Sequence, residues 1–166
     1  LEEFAHLNKD DENIHCPKVN RQLTTQRILV MECMDGIPLD DGEGLQAACV
    51  DMERIGRRLG INYVKQMIDD GFFHADPHPG NIWVKDGRII WLDLGMMGRL
   101  SVRDRNSFRH AIMALVTNDV YGMKEAVLAL GMPRGKVDHI QLYDDVAALM
   151  AQYGDCLLYP SDADGE

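Results

Sequence analysis

Residues 72–95 decide the fold, and they read Phe-Phe-His-Ala-Asp-Pro-His-Pro-Gly-Asn-Ile-Trp-Val-Lys-Asp-Gly-Arg-Ile-Ile-Trp-Leu-Asp-Leu-Gly. Two prolines, Pro77 and Pro79, stand in the first half of this stretch. Each proline removes a backbone N–H donor and fixes φ, which excludes a regular helix. The sequence therefore predicts a stiff loop over residues 74–81.

The second half of the stretch predicts a β-hairpin. Residues 82–84 and 88–92 are short apolar runs rich in β-forming residues. The dipeptide Asp86-Gly87 between them is typical of a tight turn. Asn81 enters the first strand and Asp93 leaves the second, and the two ends of a hairpin are neighbours. We therefore expect Asn81 and Asp93 to lie close together.

Three polar side chains of this stretch predict one reactive cleft. Asn81 and Asp93 offer a carbonyl and a carboxylate oxygen, the hard ligands that Mg²⁺ prefers. Asp76, which precedes Asn81 by five residues, could face the same cleft and orient a hydroxyl or a water near a metal-bound phosphate. Kinase-type sites divide the work of phosphoryl transfer in this way.

Two histidines flank Asp76 and leave another interpretation open. We interpret His74 as a hydrogen-bonding and packing residue, and His78 as a surface or packing residue. Together with Asp76 they could instead supply the nitrogen and oxygen donors of a transition-metal site, as in a metallohydrolase. The other four histidines stand alone in the sequence, which disfavours that alternative.

The flanking segments predict an α+β fold that is mostly α. Ser101 and Asp104 resemble a capping box, with Asp in place of Glu or Gln. Before residue 72 we predict the end of a helix over 1–8, two strands within 19–32, of which 27–32 is buried, and one long amphipathic helix from Leu45 to Met67 that is capped by Gly71. After Gly95 the pattern becomes helical and predicts helices over 101–117, 119–130 and 137–153. Residues 160–166 are predicted to be a frayed tail.

Charge and cysteine content limit the class of protein. The chain has 17 Lys and Arg against 27 Asp and Glu, a net charge of −10, which argues against a protein that grips nucleic acid backbone. No window approaches the ~18 apolar residues of a membrane span. The four cysteines are scattered without a Cys-x-x-Cys pair, so a zinc knuckle is disfavoured and free, buried thiols are expected.

The order of the polar residues has a counterpart in protein kinases. Those enzymes carry His-x-Asp, an Asn five residues after the Asp, and Asp-Phe-Gly after a hairpin. The wider pattern, His-Ala-Asp-Pro-His-Pro-Gly-Asn at 74–81 and Leu-Asp-Leu-Gly-Met-Met-Gly-Arg-Leu at 92–100, resembles the UbiB-like atypical kinases, also called aarF-domain kinases. Leu-Val-Met-Glu-Cys-Met-Asp-Gly at 29–36 resembles the hinge strand of that family.

The resemblance implies a protein-kinase-like fold, here mostly its helical C-terminal lobe with hinge strands and a catalytic-loop hairpin. Residues 1–36 would then be the end of the N-lobe and the hinge, 37–155 the helical C-lobe, and 156–166 a disordered tail. The implied site residues are Asp76 as the catalytic-loop aspartate, Asn81 and Asp93 as magnesium ligands, Met31 as the gatekeeper, and the backbone of Glu32 and Met34 against the adenine of ATP.

The same resemblance implies Mg-ATP-dependent phosphoryl transfer or ATP hydrolysis, with a non-protein substrate linked to ubiquinone or lipid metabolism. The phosphate-covering loop, the strand lysine and the Lys-x-Gly-Gln segment of the family find no match in this sequence. We therefore expect a piece of a longer protein that is weakly active alone. A pseudokinase-like binding or scaffold module that uses the same pocket is the alternative.

The implied partners are ATP or ADP and a small-molecule or lipid-pathway substrate, without nucleic acid. Peripheral membrane association would come through segments outside this chain. Bacterial members of the family lie at the inner membrane, so a bacterial protein would be cytoplasmic or at the inner-membrane face.

Overall fold

The computed structural model describes residues 1–158, which divide into two compact units between Arg99 and Leu100. About half of the described residues are helical, and the strands form small sheets. The α+β class predicted from the sequence is confirmed.

The first unit contains three short or medium α-helices and six short strands within residues 1–99. A π-helical turn, Gln66–Asp70, continues the third helix, and a 3-10 turn, Pro79–Asn81, precedes the fourth strand. The elements are α1 (Glu2–Leu7), β1 (Ile14–His15), β2 (Ile37–Pro38), α2 (Gly42–Ala47), α3 (Met52–Lys65), β3 (Phe72–His74), β4 (Ile82–Lys85), β5 (Arg88–Trp91) and β6 (Met97–Arg99).

The predicted hairpin is formed by β4 and β5, at the centre of a four-stranded sheet in the order β1-β5-β4-β2. Asp86 and Gly87 have φ of 50° and 71°, the two positive values that a type I′ turn requires. Ile82 lies opposite Trp91, so both side chains point to one face of the sheet. That face belongs to the hydrophobic core, which also includes Phe4, Ile55, Val84 and Ile89.

The prediction of one long helix from Leu45 to Met67 is wrong. Helix α2 ends at Ala47 and α3 begins at Met52. The chain turns at Cys49, whose φ of 52° lies in the left-handed region. Asp51 then caps α3, because its side chain accepts a hydrogen bond from the Arg54 N–H at 2.9 Å. At the other end, Gly71 closes the π-helical turn with a left-handed φ of 63°, as the sequence predicts.

The prediction of a buried strand over 27–32 is also wrong. An isolated bridge between Val19 and Met31 stands in place of the two predicted strands. The Thr24 hydroxyl accepts a hydrogen bond from the Val30 N–H at 3.0 Å and donates to the Val30 carbonyl at 3.2 Å. The Thr24 side chain thus forms the hydrogen bonds that the backbone of a paired strand would otherwise form. Three apolar side chains of the run are exposed: Ile28, Leu29 and Met31.

Four short strands were missed by the sequence analysis: β1, β2, β3 and β6. Strands β1 and β2 have two residues each, and β6 occupies part of the stretch that we expected to be helical after Gly95. Strand β6 pairs antiparallel with β3, and Gly98 lies opposite Phe73. A Cβ at Gly98 would lie 2.4 Å from the Phe73 ring, so the close approach of these strands requires a glycine.

The cysteines of the first unit are free, as predicted, but they are not all buried. Cys16 is buried, whereas Cys33 and Cys49 are exposed. Burial raises the pKa of the Cys16 thiol above its ordinary value.

The second unit consists of α4 (Val102–Val116), α5 (Val120–Leu130) and α6 (His139–Leu158). Ser101 caps α4, as predicted: its hydroxyl accepts from the Asp104 N–H at 3.1 Å and donates to the Asp104 carboxylate at 2.8 Å. Helix α6 continues to Leu158, and so includes the first three residues of the tail implied for 156–166. The rest of that tail, with the frayed end predicted over 160–166, lies outside the described part of the chain. None of the described helices has the length and apolar character needed to cross a membrane.

Candidate functional site

The hairpin brings Asn81 and Asp93 together at the level of the backbone. Asn81 ends the 3-10 turn directly before β4, and Asp93 follows β5 by two residues. The Leu92 N–H donates to the Asn81 carbonyl at 2.8 Å, which continues the hairpin ladder by one bond. The predicted proximity of Asn81 and Asp93 is therefore confirmed for their backbone.

The loop over residues 74–81 is closed by its own hydrogen bonds. The His78 N–H donates to the Asp76 carbonyl at 2.7 Å, and the Asn81 N–H donates to the His78 carbonyl at 2.8 Å. The Nδ1 atom of His78 accepts from the Gly80 N–H at 3.0 Å and thereby caps the 3-10 turn. The Asn81 side-chain amide nitrogen lies 3.5 Å from the Asp76 carbonyl, which is a long hydrogen bond.

The ring of His74 joins this loop to the segment that carries Asp93. His74 is fully buried. Its Nε2 lies 3.1 Å from the Leu92 carbonyl, and its Nδ1 accepts from the Asp76 N–H at 3.2 Å. A carbonyl only accepts and an N–H only donates, so these partners select the neutral tautomer with the proton on Nε2. The prediction that His74 bonds and packs is confirmed.

Asp93 has a backbone conformation that side chains rarely adopt. Its φ is 47°, in the left-handed region, where a non-glycine residue is strained. Strain of this kind is concentrated at functional sites, where the surrounding structure holds it in place. Asp93 and Asp76 are both exposed, as a carboxylate that meets a ligand must be.

A cavity of about 370 Å³ lies beside Asp93. Among the described residues, Met31 and Asp93 line this cavity, whereas Asp76, Asn81, Glu32 and Met34 lie outside its lining. The predicted gatekeeper and one predicted metal ligand therefore meet at one cavity. Its lining is completed by Leu1, Glu2, Pro17, Val19, Leu29, Leu94 and Gly95.

Glu32, which the resemblance places at a hinge, is held by the chain segment before it. Its N–H donates to the Lys18 carbonyl at 2.8 Å, and its carboxylate accepts from the Lys18 N–H at 3.2 Å. The same carboxylate lies 3.4 Å from Nε2 of His15. Because the Glu32 N–H is engaged, only its carbonyl can serve an adenine.

The donor atoms at the hairpin ends fit a hard divalent cation. Asn81 Oδ1 and the Asp93 carboxylate are oxygen ligands, and a Mg²⁺ ion retains several waters beside one or two protein ligands. The transition-metal alternative finds no support in this arrangement. Residues 1–152 contain no group of three or more His, Cys, Asp and Glu side chains that could hold a metal, and both nitrogens of His74 are already hydrogen bonded.

Two buried amides beside the site, Asn62 and Gln66, were missed by the sequence analysis. Gln66 Oε1 accepts from the His74 N–H at 3.0 Å, and Gln66 Nε2 donates to Asn62 Oδ1 at 2.8 Å. The signal was present, because Asn62 and Gln66 continue the buried stripe of α3 that begins at Ile55 and Leu59. Polar residues at core-facing positions of an amphipathic helix need a buried partner.

Comparison with known proteins agrees with the motif over residues 72–95. The family described as the ABC1 atypical kinase-like domain matches residues 1–127. A Clostridium pasteurianum protein, "Uncharacterized protein in hydrogenase 1 5'region", is 35% identical over 92% of this chain and 29% of its own length. The Arabidopsis thaliana chloroplastic protein ACTIVITY OF BC1 COMPLEX KINASE 8 is 37% identical over 78% of this chain and 17% of its own length.

A second Arabidopsis thaliana chloroplastic protein, ACTIVITY OF BC1 COMPLEX KINASE 1, is 34% identical over 79% of this chain and 19% of its own length. The chain thus spans less than a third of these relatives. The match to the family nevertheless covers most of the chain and includes the whole of residues 72–95. The chain belongs to the ABC1 atypical kinase-like family, also known as the UbiB or aarF family.

Proposed function

We propose that this chain contributes the metal-binding and catalytic half of an Mg-ATP site that performs phosphoryl transfer or ATP hydrolysis. The observation that carries the proposal is the cavity of about 370 Å³ lined by both Met31 and Asp93. A nucleotide that places its base at the hinge and its phosphates at the magnesium ligands must pass between these two residues.

Each site residue has one role in this proposal. Asp93 and Asn81 hold Mg²⁺ through their oxygen atoms, and the bound ion neutralises charge on the phosphates. The exposed carboxylate of Asp76 accepts a hydrogen bond from the attacking hydroxyl or water and orients it. The Glu32 carbonyl and the Met34 backbone meet the adenine, and Met31 limits the depth of the pocket as gatekeeper.

The acceptor in this proposal is a small molecule or a lipid-pathway compound rather than a protein. The support is the family resemblance together with the sequence after Gly95, which lacks the Ala-Pro-Glu segment of protein kinases. A link to ubiquinone metabolism, peripheral membrane association and a location at a membrane face are proposed on the same ground. Turnover by the 166-residue chain alone is expected to be low.

The test compares nucleotide affinity with and without Mg²⁺ in the full-length protein, for two matched variants. Asp93→Asn removes the metal-binding charge and keeps the shape of the side chain. Asp86→Asn makes the same change at the other end of the hairpin, where the backbone φ of 50° is similar and the residue is equally exposed. Titration with a fluorescent ATP analogue measures both affinities.

Wild type and Asp86→Asn should bind the analogue about tenfold or more tightly with Mg²⁺, and Asp93→Asn should lose this gain. A gain that survives in Asp93→Asn overturns the proposed metal site. Complementation of a deletion strain separates enzyme from scaffold: an enzyme carrying Asp93→Asn fails to complement, whereas a pseudokinase-like scaffold still complements.

A further inference from the structure

Two buried amides, Asn62 and Gln66, connect helix α1 with His74. They are 2% and 0% exposed. Gln66 Nε2 donates to Asn62 Oδ1 at 2.8 Å, Asn62 Nδ2 donates to Asn8 Oδ1 at 2.8 Å, and Asn8 Nδ2 donates to the Phe4 carbonyl at 2.9 Å. We call the side chains of Asn8, Asn62 and Gln66 the amide relay.

Partners that can only donate or only accept fix the orientation of every amide in the relay. The Trp91 indole N–H only donates, and it lies 3.1 Å from Asn62 Oδ1. The His74 backbone N–H only donates, and it lies 3.0 Å from Gln66 Oε1. The Phe4 carbonyl at the far end only accepts. No amide can therefore flip without leaving buried groups unpaired, and hydrogen bonds aligned in one direction strengthen each other.

The backbone departs from a regular α-helix where it presents Gln66. This residue begins the π-helical turn Gln66–Asp70, a type of turn that occurs frequently at functional sites. The preceding residue, Lys65, donates to the Leu7 carbonyl at 3.0 Å and to the Asp70 carboxylate at 2.7 Å. Helix α1 is thus joined to the end of α3 by the relay and by Lys65.

We propose that Asn62 and Gln66 are positioning residues that hold the two catalytic segments in register through His74. Gln66 fixes the backbone of His74, and the His74 ring in turn binds the Asp76 N–H and the Leu92 carbonyl. The catalytic part of this proposal rests on the proposed function, which assigns the orienting role to Asp76 and the metal-binding role to Asp93. The relay also makes the position of α1 a determinant of the geometry at Asp76.

Amide hydrogen exchange measured by NMR tests the relay without reference to catalysis. Gln66→Met keeps the length of the side chain and removes both relay hydrogen bonds. The expected result is exchange about tenfold or more faster at the His74 and Asp76 amides, with little change at Ile89, whose N–H is bonded to the Asn13 carbonyl in the same unit. Ile55→Val is the matched control, a core truncation in α3 that leaves the relay side chains in place.

A milder variant keeps the test decisive if Gln66→Met does not fold. Asn8→Ala removes the acceptor at the far end of the relay and should still accelerate exchange at Asp76. Where Gln66→Met does fold, the two residues act in one network, so the double variant should exchange no faster at Asp76 than Gln66→Met alone. Exchange at Asp76 that is unchanged in these folded variants, or that accelerates equally at Ile89, overturns the proposal.

Steady-state kinetics of the full-length protein test whether the amide relay positions the catalytic groups. Gln66→Met should lower kcat for Mg-ATP turnover about tenfold while KM for ATP stays within about twofold, since the relay orients reacting groups rather than the base-binding hinge. A fall in kcat no larger than that of Ile55→Val overturns the positioning role. If the wild type turns over no nucleotide, the proposed function fails, whereas the exchange measurement still decides whether the relay holds Asp76.

Discussion

The Nε2 atom of His74 lies 3.1 Å from the carbonyl oxygen of Leu92, the residue directly before Asp93. The opposite ring nitrogen of His74 accepts a hydrogen bond from the Asp76 N–H at 3.2 Å. A single buried ring therefore spans the two segments that carry the candidate catalytic and metal-binding aspartates.

Replacement of His74 by Phe should keep the packing against Trp91 and remove both ring hydrogen bonds. The Leu92 carbonyl and the Asp76 N–H would then lose their partner, so we expect the free energy of unfolding to fall by about 2–4 kcal/mol. Urea denaturation measures the change. His78→Phe is the control: that exposed ring caps only a 3-10 turn, and its loss should cost at most about 1 kcal/mol. Equal losses in the two variants would contradict the bridging role of His74.

Glycine-to-alanine substitutions should have opposite signs in the hairpin and in helix α3. Gly87 has a φ of 71°, and a Cβ there would lie 2.7 Å from the Arg54 guanidinium, so Gly87→Ala should destabilise by about 1–2 kcal/mol. Gly60 is exposed within α3 with open space at its Cβ position, so Gly60→Ala should stabilise by about 0.5–1 kcal/mol. Thermal unfolding of both variants gives the signs, and a stabilised Gly87→Ala protein would refute the type I′ turn.

Substitutions at Asp93 should separate stability from function. The φ of 47° favours Gly and tolerates Asn, whereas Ala adopts it at a cost of about 1 kcal/mol. We therefore expect the order of unfolding free energy to be Gly at or above Asn, and both above Ala. All three substitutions should abolish Mg²⁺-dependent nucleotide affinity. An Ala variant as stable as the Gly variant in chemical denaturation would show that the strain at Asp93 is absent.

The cysteines should differ in reactivity. Cys33 and Cys49 are exposed and should be alkylated rapidly by iodoacetamide, whereas the buried Cys16 should react slowly because burial raises its pKa and disfavours the thiolate. Peptide mass spectrometry of timed samples resolves the sites. Rapid labelling of Cys16 in the folded protein would contradict its burial.

The same shift predicts the pH dependence of stability. A folded pKa above the unfolded one means that the folded state binds more protons between the two values, so this contribution is complete below the ordinary thiol pKa of 9.0 and is lost as the pH rises above it. Tyr63, whose pKa is also raised by burial, acts in the same direction at higher pH. Unfolding measured from pH 8 to pH 11 should show this alkaline loss, and Cys16→Ala should reduce it.

Local signals made the hairpin and most helices predictable. The turn chemistry of Asp86-Gly87 and the caps at Gly71 and Ser101 each depend on a few adjacent residues. The break between α2 and α3 was missed because apolar spacing continues across Cys49 and Met52, while the interruption depends on one backbone angle. The Asp51 cap was the available sign of it.

Long-range pairing limited the rest of the prediction. Strands β1, β2 and β6 are two or three residues long and owe their conformation to partners far along the chain, which no periodicity reports. The candidate residues Asp76, Asn81 and Asp93 come from the family pattern, and their roles at the site stay predictions. The hydrogen bonds that support the candidate site could not be predicted, because the amide relay from Asn8 to Gln66 depends on how α1 and α3 meet.

Because both nitrogens of the His74 ring are hydrogen bonded, the ring is limited in proton transfer. A neutral imidazole with its proton committed to Leu92 and its lone pair committed to Asp76 can neither take up nor deliver a proton without breaking one of these bonds. His74 is thus occupied by structural hydrogen bonds on both ring nitrogens. In the proposed phosphoryl transfer, a proton that leaves the attacking hydroxyl would therefore pass to a carboxylate or to water rather than to this ring.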